Sequence, residues 1–573
     1  MKAFRRNSYS CAYHKAMELR TGWGSPGAIS VFFATAAALL IMWQMLFPGY
    51  VLTMDLVFTP TMHITTSSDN FINLLPVQYL VSFLAYLMPA WIVEKMLLFG
   101  LFFSLLYAPM RYLPFVSEHS GIRLVASLVY GLNPFVYERF LAGQWALLAG
   151  YAVLPFFLHA LFALTQRPSS RASVKLAMAL CMIGVFSVHL LLMTTLVVLG
   201  WIVVESVRAT VSNDDNRIKK VLRWLGTSAL LSALFSSYWI IAASVRTHPL
   251  EAAFDTTHFE AFAASAHGSI SVIPNLLTLN GFWGERALWA YYFASSQSYS
   301  VFWVGFFSIV ALVVIGFFAL FRSNRAYSIY LLFIFLGALV FATGASDTPF
   351  KSFNLFLYQH VPLWAGLRDS HKWVALIALV YAICVGSSLA WIRAHVGERL
   401  FSFAVLPTAI IVAILFGALQ LFGFRGQLQP TWYPQSWEVA AEIVAHIRAK
   451  DPIAKILVLP WHGYMSLAFS NDHIVANPAH AYFGDSIVQS QSIELAGVYD
   501  QSVDVNYRNL DLAIRNTASS SNDRIIEAFR FMNIRAVVYL QDIREVDELS
   551  YDFLDDTRFK KLLDATEIQV YEL

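Results

Sequence analysis

Long uninterrupted apolar stretches recur from residue 28 to about residue 423, separated by short polar connections. The first, AISVFFATAAALLIMWQMLF at 28–47, contains no charged residue and is long enough to cross a ~30 Å hydrocarbon core as a helix. It is too long for the core of a signal peptide, and no small-residue cleavage pattern follows it. The pattern predicts a polytopic α-helical membrane protein with about eleven transmembrane helices, at 28–47, 90–112, 122–136, 143–165, 172–188, 190–207, 222–243, 299–321, 327–343, 373–392 and 400–423.

One further apolar segment does not fit this series. NLLPVQYLVSFLAYLM at 73–88 is short and contains Pro76. If it crossed the membrane, every later basic loop would move to the opposite side. We therefore expect an interfacial or re-entrant helix there.

The pattern changes after residue 424, where apolar runs shorten to strand length and charged residues become frequent. WEVAAEIVAHIRAK at 437–450 and RIIEAFRFMNI at 524–534 have helical spacing, whereas KILVLP at 455–460 and AVVYLQ at 536–541 have the apolar runs of strands. Neither a GxGxxG nor a P-loop sequence occurs there. Residues 424–573 are therefore predicted to form an α/β domain that does not bind nucleotides.

Composition and charge position give the membrane sidedness. The chain is 58% hydrophobic and 13% charged, with a net charge of +2 that gives no reason to expect nucleic-acid binding. Basic residues concentrate in one set of connections, which the positive-inside rule makes cytoplasmic. We expect a cytoplasmic segment at 1–27, a transmembrane domain at 28–423 with outer loops at 48–89, 244–298 and 344–372, and an extracytoplasmic domain at 424–573.

Asp55 is a carboxylate in the otherwise apolar outer stretch PGYVLTMDLVFTP at 48–60. Desolvation in such surroundings raises the pKa of a carboxyl and suits it to proton transfer, and ionisable groups at membrane depth tend to be functional. The alternative is a solvent-facing acid at a helix exit. Asp55 is the candidate catalytic residue.

A cationic cluster lies in GLRDSHKW at 366–373, at the outer end of a predicted membrane helix. Arg368, His371 and Lys372 stand together on the side that the positive-inside rule leaves poor in basic residues. Arginine and lysine are suited to a phosphate, so these three residues are the candidate phosphate-binding or donor-binding group. Attraction to ordinary headgroups, with pairing to Asp369, is the alternative.

For the other candidate site residues, an ordinary structural role explains the residue at least as well as a functional role. They are Asp69, as a helix cap; Glu138, Arg139 and Gln144 in NPFVYERFLAGQW, as a salt bridge or headgroup contact; His189, as a structural histidine; and His258 with Glu260, as surface residues of an amphipathic helix.

The sequence resembles the GT-C superfamily of polytopic glycosyltransferases, and within it the YfhO-type proteins of bacteria and archaea. The resemblance rests on Asp55 after the first helix, the interfacial segment that follows, the helix–turn–helix SLVYGLNPFVYERFLAGQWALLAGYAVLPFFLHAL at 127–161, and a long later loop. GLRDSHKW, and NIRAVVYL preceding IQVYEL near the C-terminus, are similar to the YfhO-type pattern.

The resemblance implies a membrane glycosyltransferase that uses a polyprenyl-phosphate sugar donor, with an envelope glycan, glycolipid or glycoprotein as acceptor. Asp55 would be the general base of an inverting transfer, and Arg368, His371 and Lys372 would stabilise the lipid phosphate. Many members carry an acidic pair at the second outer turn, whereas this chain has Glu138 beside Arg139. No cofactor is therefore expected, although Glu138 leaves a divalent cation open.

Two other classes of function remain open at this point. One is a transporter or flippase of a lipid-linked sugar, for which broken helices and charges at the midplane would be expected. The other is a non-catalytic envelope assembly protein whose outer α/β domain binds a partner.

Overall fold

The computed structural model describes residues 27–61, 72–245, 255–286, 293, 296–492, 504–515, 522–544 and 549–573. Most of the apolar half is helical, because a backbone in hydrocarbon must satisfy its own hydrogen bonds. In chain order, the described helices begin with α1 (Ala28–Met42), α2 (Leu75–Leu87), α3 (Ala90–Tyr112), α4 (Ser120–Gly131), α5 (Pro134–Leu141), α6 (Trp145–Gln166), α7 (Ser170–Phe186), α8 (Val188–Ser212), α9 (Asp215–Phe235) and α10 (Ser237–Ser244).

The remaining helices of this half include several short ones in the loops at 244–298 and 344–372. They are α11 (Thr256–Ala261), α12 (Val272–Leu277), α13 (Ser300–Ser323), α14 (Arg325–Ala342), α15 (Lys351–His360), α16 (Val374–Val396) and α17 (Glu398–Gly426), the last interrupted by two π-helical turns. Short 3-10 turns include Trp283–Arg286, Trp364–Leu367 and Ser370–Trp373.

Every predicted span coincides with a helix, but the helices differ in length. Seven in the described part of the chain are long and apolar enough to cross a membrane, or eight if α9 and α10, bent by 72°, form one span. The helices at 28–47 and 122–136 are shorter than predicted, with 15 and 12 residues. The chain is a multi-pass membrane protein, and the count of eleven stays a prediction. Segment 73–88 is a short apolar helix, α2.

Helix α16 is the centre of the membrane half. Its side chains are buried almost throughout from Val374 to Ala390. Helix α13 packs directly against it, because Gly316 has no side chain: a Cβ there would lie 1.8 Å from the carbonyl oxygen of Cys384. Small residues allow this close approach of helices within a membrane. The buried helix α16 fixes the position of the 366–373 loop that precedes it.

The C-terminal region is an α/β structure, as predicted. Its elements are α18 (Gln435–Lys450), β1 (Lys455–Leu459), β2 (Tyr464–Leu467), β3 (Ile474–Ala476), α19 (Ala479–Phe483), β4 (Ile487–Val488), α20 (Val505–Arg515), α21 (Asn522–Phe531), β5 (Ile534–Leu540), β6 (Ile543–Arg544), β7 (Lys560–Asp564) and β8 (Ile568–Glu572). One sheet has the strand order β4-β1-β5-β8-β7, parallel across β4-β1-β5 and antiparallel across β5-β8-β7. A smaller antiparallel sheet has the order β3-β2-β6.

The small sheet connects this region to the loop that follows α1. The Met54 N–H donates to the Ile474 carbonyl at 2.8 Å, and the Ala476 N–H donates to the Met54 carbonyl at 2.9 Å. Met54 therefore pairs alongside the edge of β3 and adds a single residue to the small sheet. The C-terminal region lies at the same end of the helices as Asp55, and its extracytoplasmic location stays a prediction.

Candidate functional site

Asp55 lies at the tip of a tight turn. Thr53 and Leu56 exchange backbone hydrogen bonds of 3.1 and 2.8 Å across it, and Met54 takes a positive φ of 40°. The Thr53 hydroxyl also donates to the Leu141 carbonyl at 2.6 Å. These contacts hold the turn against the end of α5, so that the carboxylate has a defined position.

Gly143 makes the close approach of this turn possible. Its φ is +71°, and a Cβ on it would lie 2.2 Å from the Leu56 nitrogen and 2.5 Å from the Asp55 nitrogen. The Asp55 N–H donates to the neighbouring Ala142 carbonyl at 3.3 Å. Any larger residue at 143 would push the Asp55 turn away from the α5–α6 connection.

The Asp55 carboxylate lies in a recess between the membrane half and β2. Its side chain is exposed on one side, while Oδ1 accepts a hydrogen bond of 2.7 Å from the Tyr464 hydroxyl. Burial by the surrounding protein raises the pKa of Asp55, and Tyr464, Lys372 and Gln144 partly offset this by favouring the carboxylate. The group is accessible to solvent and is a stronger base than an ordinary aspartate.

A buried ion pair joins the end of α5 to the 366–373 loop. Arg139 donates to both oxygens of Asp369, at 2.6 and 2.8 Å, and to the Gln144 side-chain oxygen at 2.7 Å. Burial alone would raise the pKa of Asp369, but the charges of Arg139 and Lys372 outweigh burial and hold that pKa well below its usual range. The forked geometry gives directional strength as well as charge neutralisation.

His371 is buried against this pair. Its Nδ1 lies 3.1 Å from Nη2 of Arg139, and because an arginine can only donate, Nδ1 must be the acceptor. The proton of neutral His371 then lies on Nε2, which faces Oε2 of Glu138 at 3.6 Å. His371 is fully buried, so its contacts are with protein groups.

Glu138 is a buried acid next to a second carboxyl group. Burial and the neighbouring Glu285 raise the pKa of Glu138 well above its usual range, and the two side chains are hydrogen-bonded. Glu285 carries the charge of this pair, since it accepts that hydrogen bond and lies 3.7 Å from His267. The predicted alternative of a Glu138–Arg139 salt bridge is corrected here, because the arginine pairs with Asp369.

Lys372 connects the cluster to Asp55, and Arg368 lies nearby in the same loop. The Lys372 ammonium lies 3.5 Å from Asp369 and has an electrostatic interaction with Asp55. The Arg368 guanidinium lies over the Phe262 ring, 5.1 Å from its centroid. His189, in the first turn of α8, has electrostatic interactions with Lys372 and Asp369. The structure thus brings Asp55, Gln144, Arg139, Asp369 and Lys372 into one continuous set of contacts.

The remaining sequence candidates lie elsewhere or have structural contacts. Asp69 falls outside the described residues. His258 is buried and forms a capping box with Asp255, its Nδ1 2.8 Å from the carboxylate, which corrects the expectation of a surface residue. Glu260 is exposed and lies 3.6 Å from the Lys351 ammonium. Among the described residues, no group of three or more histidine, cysteine or acidic side chains could hold a metal ion.

Two residues of the site, Tyr464 and Glu285, were missed from the sequence, and the main partner of a third, Asp369, was not identified. Tyr464 is an ordinary strand tyrosine, and only the packing of β2 brings it to Asp55. Asp369 was considered a partner for its neighbouring cations, whereas Arg139 is its bidentate partner. Glu285 gave no signal in the sequence, because an acid in a long polar loop is usually solvated.

Comparisons with known proteins identify the fold. A scan of family models and a search of curated protein sequences found no match. Among solved structures, the chain is similar to the arabinofuranosyltransferase AftD from Mycobacteria, with a TM-score of 0.65, 14% identity, and coverage of 97% of this chain and 40% of that one. A mutant form of AftD aligns with a TM-score of 0.57 at 14% identity, over 96% of this chain and 42% of that one. An Archaeoglobus fulgidus oligosaccharyltransferase aligns with a TM-score of 0.42 at 11% identity, over 94% of this chain and 69% of that one.

The likeness to AftD shows that this chain shares the fold of that arabinofuranosyltransferase, in agreement with the GT-C type of fold expected from the sequence. The chain spans less than half the length of AftD. The relation to YfhO-type proteins stays a prediction.

Proposed function

We propose that the protein is an integral-membrane glycosyltransferase. It transfers a sugar from a polyprenyl-phosphate-linked donor to a hydroxyl of an envelope glycan, glycolipid or glycoprotein on the extracytoplasmic face. The observation that carries this proposal is the convergence of Asp55 with Lys372 through Gln144, Arg139 and Asp369. Glycosyl transfer from a phosphate needs a base for the proton of the acceptor hydroxyl and a cation for the charge on the leaving phosphate, and this recess has both. The GT-C fold supports the same class of reaction.

Asp55 acts as the general base. It accepts the proton of the acceptor hydroxyl while that oxygen forms a bond to the anomeric carbon of the donor sugar. The bond between that carbon and the lipid phosphate oxygen breaks, so the configuration inverts and polyprenyl phosphate leaves. Asp55 then returns its proton to solvent through its exposed side.

Lys372 and Arg368 stabilise the charge that develops on the leaving phosphate. His371 and Arg139 are fully buried and act as positioning residues: they hold Asp369, and through it the loop that carries both cations. His371 was predicted to contact the phosphate, but in the proposed mechanism it acts on the phosphate only through the residues around it.

Replacing Lys372 by Gln tests the proposed function. Purified protein in liposomes is supplied with a radiolabelled polyprenyl-phosphate sugar and an envelope acceptor fraction, and labelled glycoside and transbilayer movement of the lipid are measured separately. We expect wild-type protein to form the glycoside, and Lys372→Gln to lower kcat by about 10²–10³-fold, the usual effect of removing one oxyanion-stabilising group. The matched control is Lys351→Gln, an outer-loop lysine paired with exposed Glu260.

The two readouts separate the candidate functions. Lipid movement without glycoside formation would identify a transporter and contradict the proposal. Equal glycoside formation by wild type and Lys372→Gln would remove the lysine from the mechanism.

Replacing Tyr464 by Phe should change the pH dependence of transfer. The base must be ionised, so activity falls as pH drops through the pKa of Asp55. The Tyr464 hydroxyl donates to the carboxylate and lowers that pKa, and its removal raises it further. We expect the acidic limb of the kcat/KM profile to move to higher pH in Tyr464→Phe, with near wild-type activity at alkaline pH. A uniform loss at every pH would show a merely structural tyrosine, and Tyr539→Phe in β5 is the control.

A further inference from the structure

A polar cavity of about 370 Å³ lies far from Asp55, at the other ends of the membrane helices. Its lining comes from the end of α6, the connection after α6, the ends of α8 and α9 that meet there, and the turn between α13 and α14. The polar side chains that line it are Thr165, Gln166, Arg208, Arg217, Asn324 and Tyr327.

Helix α8 relates this cavity to the candidate active site. The first turn of α8 carries His189, which has electrostatic interactions with Lys372 and Asp369. From residue 189 to residue 208 a helix rises roughly 28 Å, close to the thickness of a hydrocarbon core. The cavity therefore lies at the opposite membrane face, level with the lipid headgroups.

Two arginines in the cavity share a single carboxylate. Glu205 is 2% exposed and contacts Nη1 of Arg208 at 2.7 Å and Nη2 of Arg217 at 3.1 Å. The Arg208 guanidinium also lies 5.6 Å from the centroid of the Tyr327 ring. Because Glu205 neutralises only one of the two arginines, the three side chains carry one net positive charge. About a third of each arginine side chain is exposed. Glu205 thus holds both guanidinium groups in place at the cavity, and Tyr327 also contacts that of Arg208.

Neutral hydrogen-bonding groups complete the lining. The Gln166 side-chain amide donates to the Tyr327 hydroxyl at 3.3 Å, and Asn324 stands in the turn between α13 and α14. Arginine forks together with amide groups suit a tetrahedral oxyanion with several acceptor oxygens. The position at headgroup depth provides phosphate groups at high local concentration.

We propose that this cavity is a binding site for a phosphate ester, held by Arg208 and Arg217, at the membrane face opposite the transfer site. The phosphate belongs to the headgroup of an anionic lipid or to a soluble phosphate monoester. The site does not depend on the proposed glycosyl transfer, since none of its residues contacts Asp55 or the 366–373 loop in the described contacts.

The test measures thermal unfolding of the full chain in detergent, with dioctanoyl phosphatidic acid or glycerol 3-phosphate as the probe. A ligand that binds the folded state raises the unfolding midpoint in a saturable way. We expect the apparent affinity to fall at least tenfold in Arg217→Gln. This variant keeps the Glu205–Arg208 pair, so it should fold. Arg223→Gln is the matched control, an exposed arginine on α9 that does not line the cavity.

Each outcome bears on the proposal. A larger effect of phosphatidic acid than of glycerol 3-phosphate identifies a lipid headgroup, and equal effects identify a soluble phosphate. Unchanged affinity in Arg217→Gln, an equal loss in Arg223→Gln, or no shift with either probe overturns the proposal.

Discussion

Replacing Asp55 by Asn should lower the rate of sugar transfer by about 10²–10⁴-fold, the contribution of a positioned general base. Asparagine has nearly the same shape and its side-chain oxygen can still accept the Tyr464 hydroxyl, so the turn should keep its structure. It cannot take a proton from the acceptor at neutral pH. Because the donor phosphate is held by other residues in the proposed mechanism, we expect kcat to fall and the KM for the donor to change little.

The measurement is transfer of label from the polyprenyl-phosphate sugar, with donor binding followed separately. Asp564→Asn is a suitable control, since Asp564 is an exposed aspartate of the C-terminal region. Unchanged transfer by Asp55→Asn would contradict the assignment of the base. A loss of donor binding with unchanged kcat would instead place Asp55 in substrate recognition.

Replacing Arg139 by Gln should destabilise the protein by about 3–5 kcal/mol, because it leaves Asp369 as a buried charge without its bidentate partner. Arg139 has no exposed surface, and Asp369 is 5% exposed, so water cannot replace the lost interaction. We expect a lower unfolding midpoint in detergent, together with loss of transfer, since the 366–373 loop depends on this contact.

A double variant separates charge from packing. Arg139→Gln combined with Asp369→Asn removes both charges and should recover much of the lost stability, because amides can hydrogen-bond to each other without a desolvated charge. If the double variant is as unstable as Arg139→Gln alone, the loss comes from packing of the arginine rather than from the unpaired carboxylate. Transfer activity should stay low in both variants, because both lose the Arg139 contact that holds the 366–373 loop. In the double variant Lys372 also loses its anionic neighbour.

The sequence located part of the site correctly because local context is informative about isolated charges. Asp55 stood out as an acid in apolar surroundings, and GLRDSHKW stood out as cations on a face poor in them. The structure brings both segments into the same recess. Their chemical roles remain proposals, to be tested by the variants above.

Pairing across the chain was harder to predict than position. In sequence Arg139 stands beside Glu138, and Asp369 stands among Arg368, His371 and Lys372, so residues close in sequence were the expected partners. In the structure Arg139 pairs with Asp369, 230 residues away, while Glu138 interacts with Glu285 and His371. Which charge meets which depends on how α5 packs against the loop before α16.

Helix ends were likewise harder to predict from the sequence than the presence of the helices. The apolar stretch 28–47 is continuous in sequence, yet the helix ends at Met42 and residues 43–46 form turns. Between α9 and α10 the chain bends by 72° within an apolar stretch. Apolar composition predicts that a segment is buried from water, but it does not predict where the helix ends or bends.

The sequence by itself determined that this is a multi-pass helical membrane protein with a C-terminal α/β region, because apolar length and strand-like periodicity are properties of single segments. Short motifs in the right order also indicated the type of fold that the chain shares with AftD. Only the tertiary structure decided that Tyr464 contacts Asp55, that Gly143 admits the Asp55 turn, and that Arg139 neutralises Asp369. These contacts join residues far apart in sequence, and their energies exist only once the helices and the small sheet are packed together.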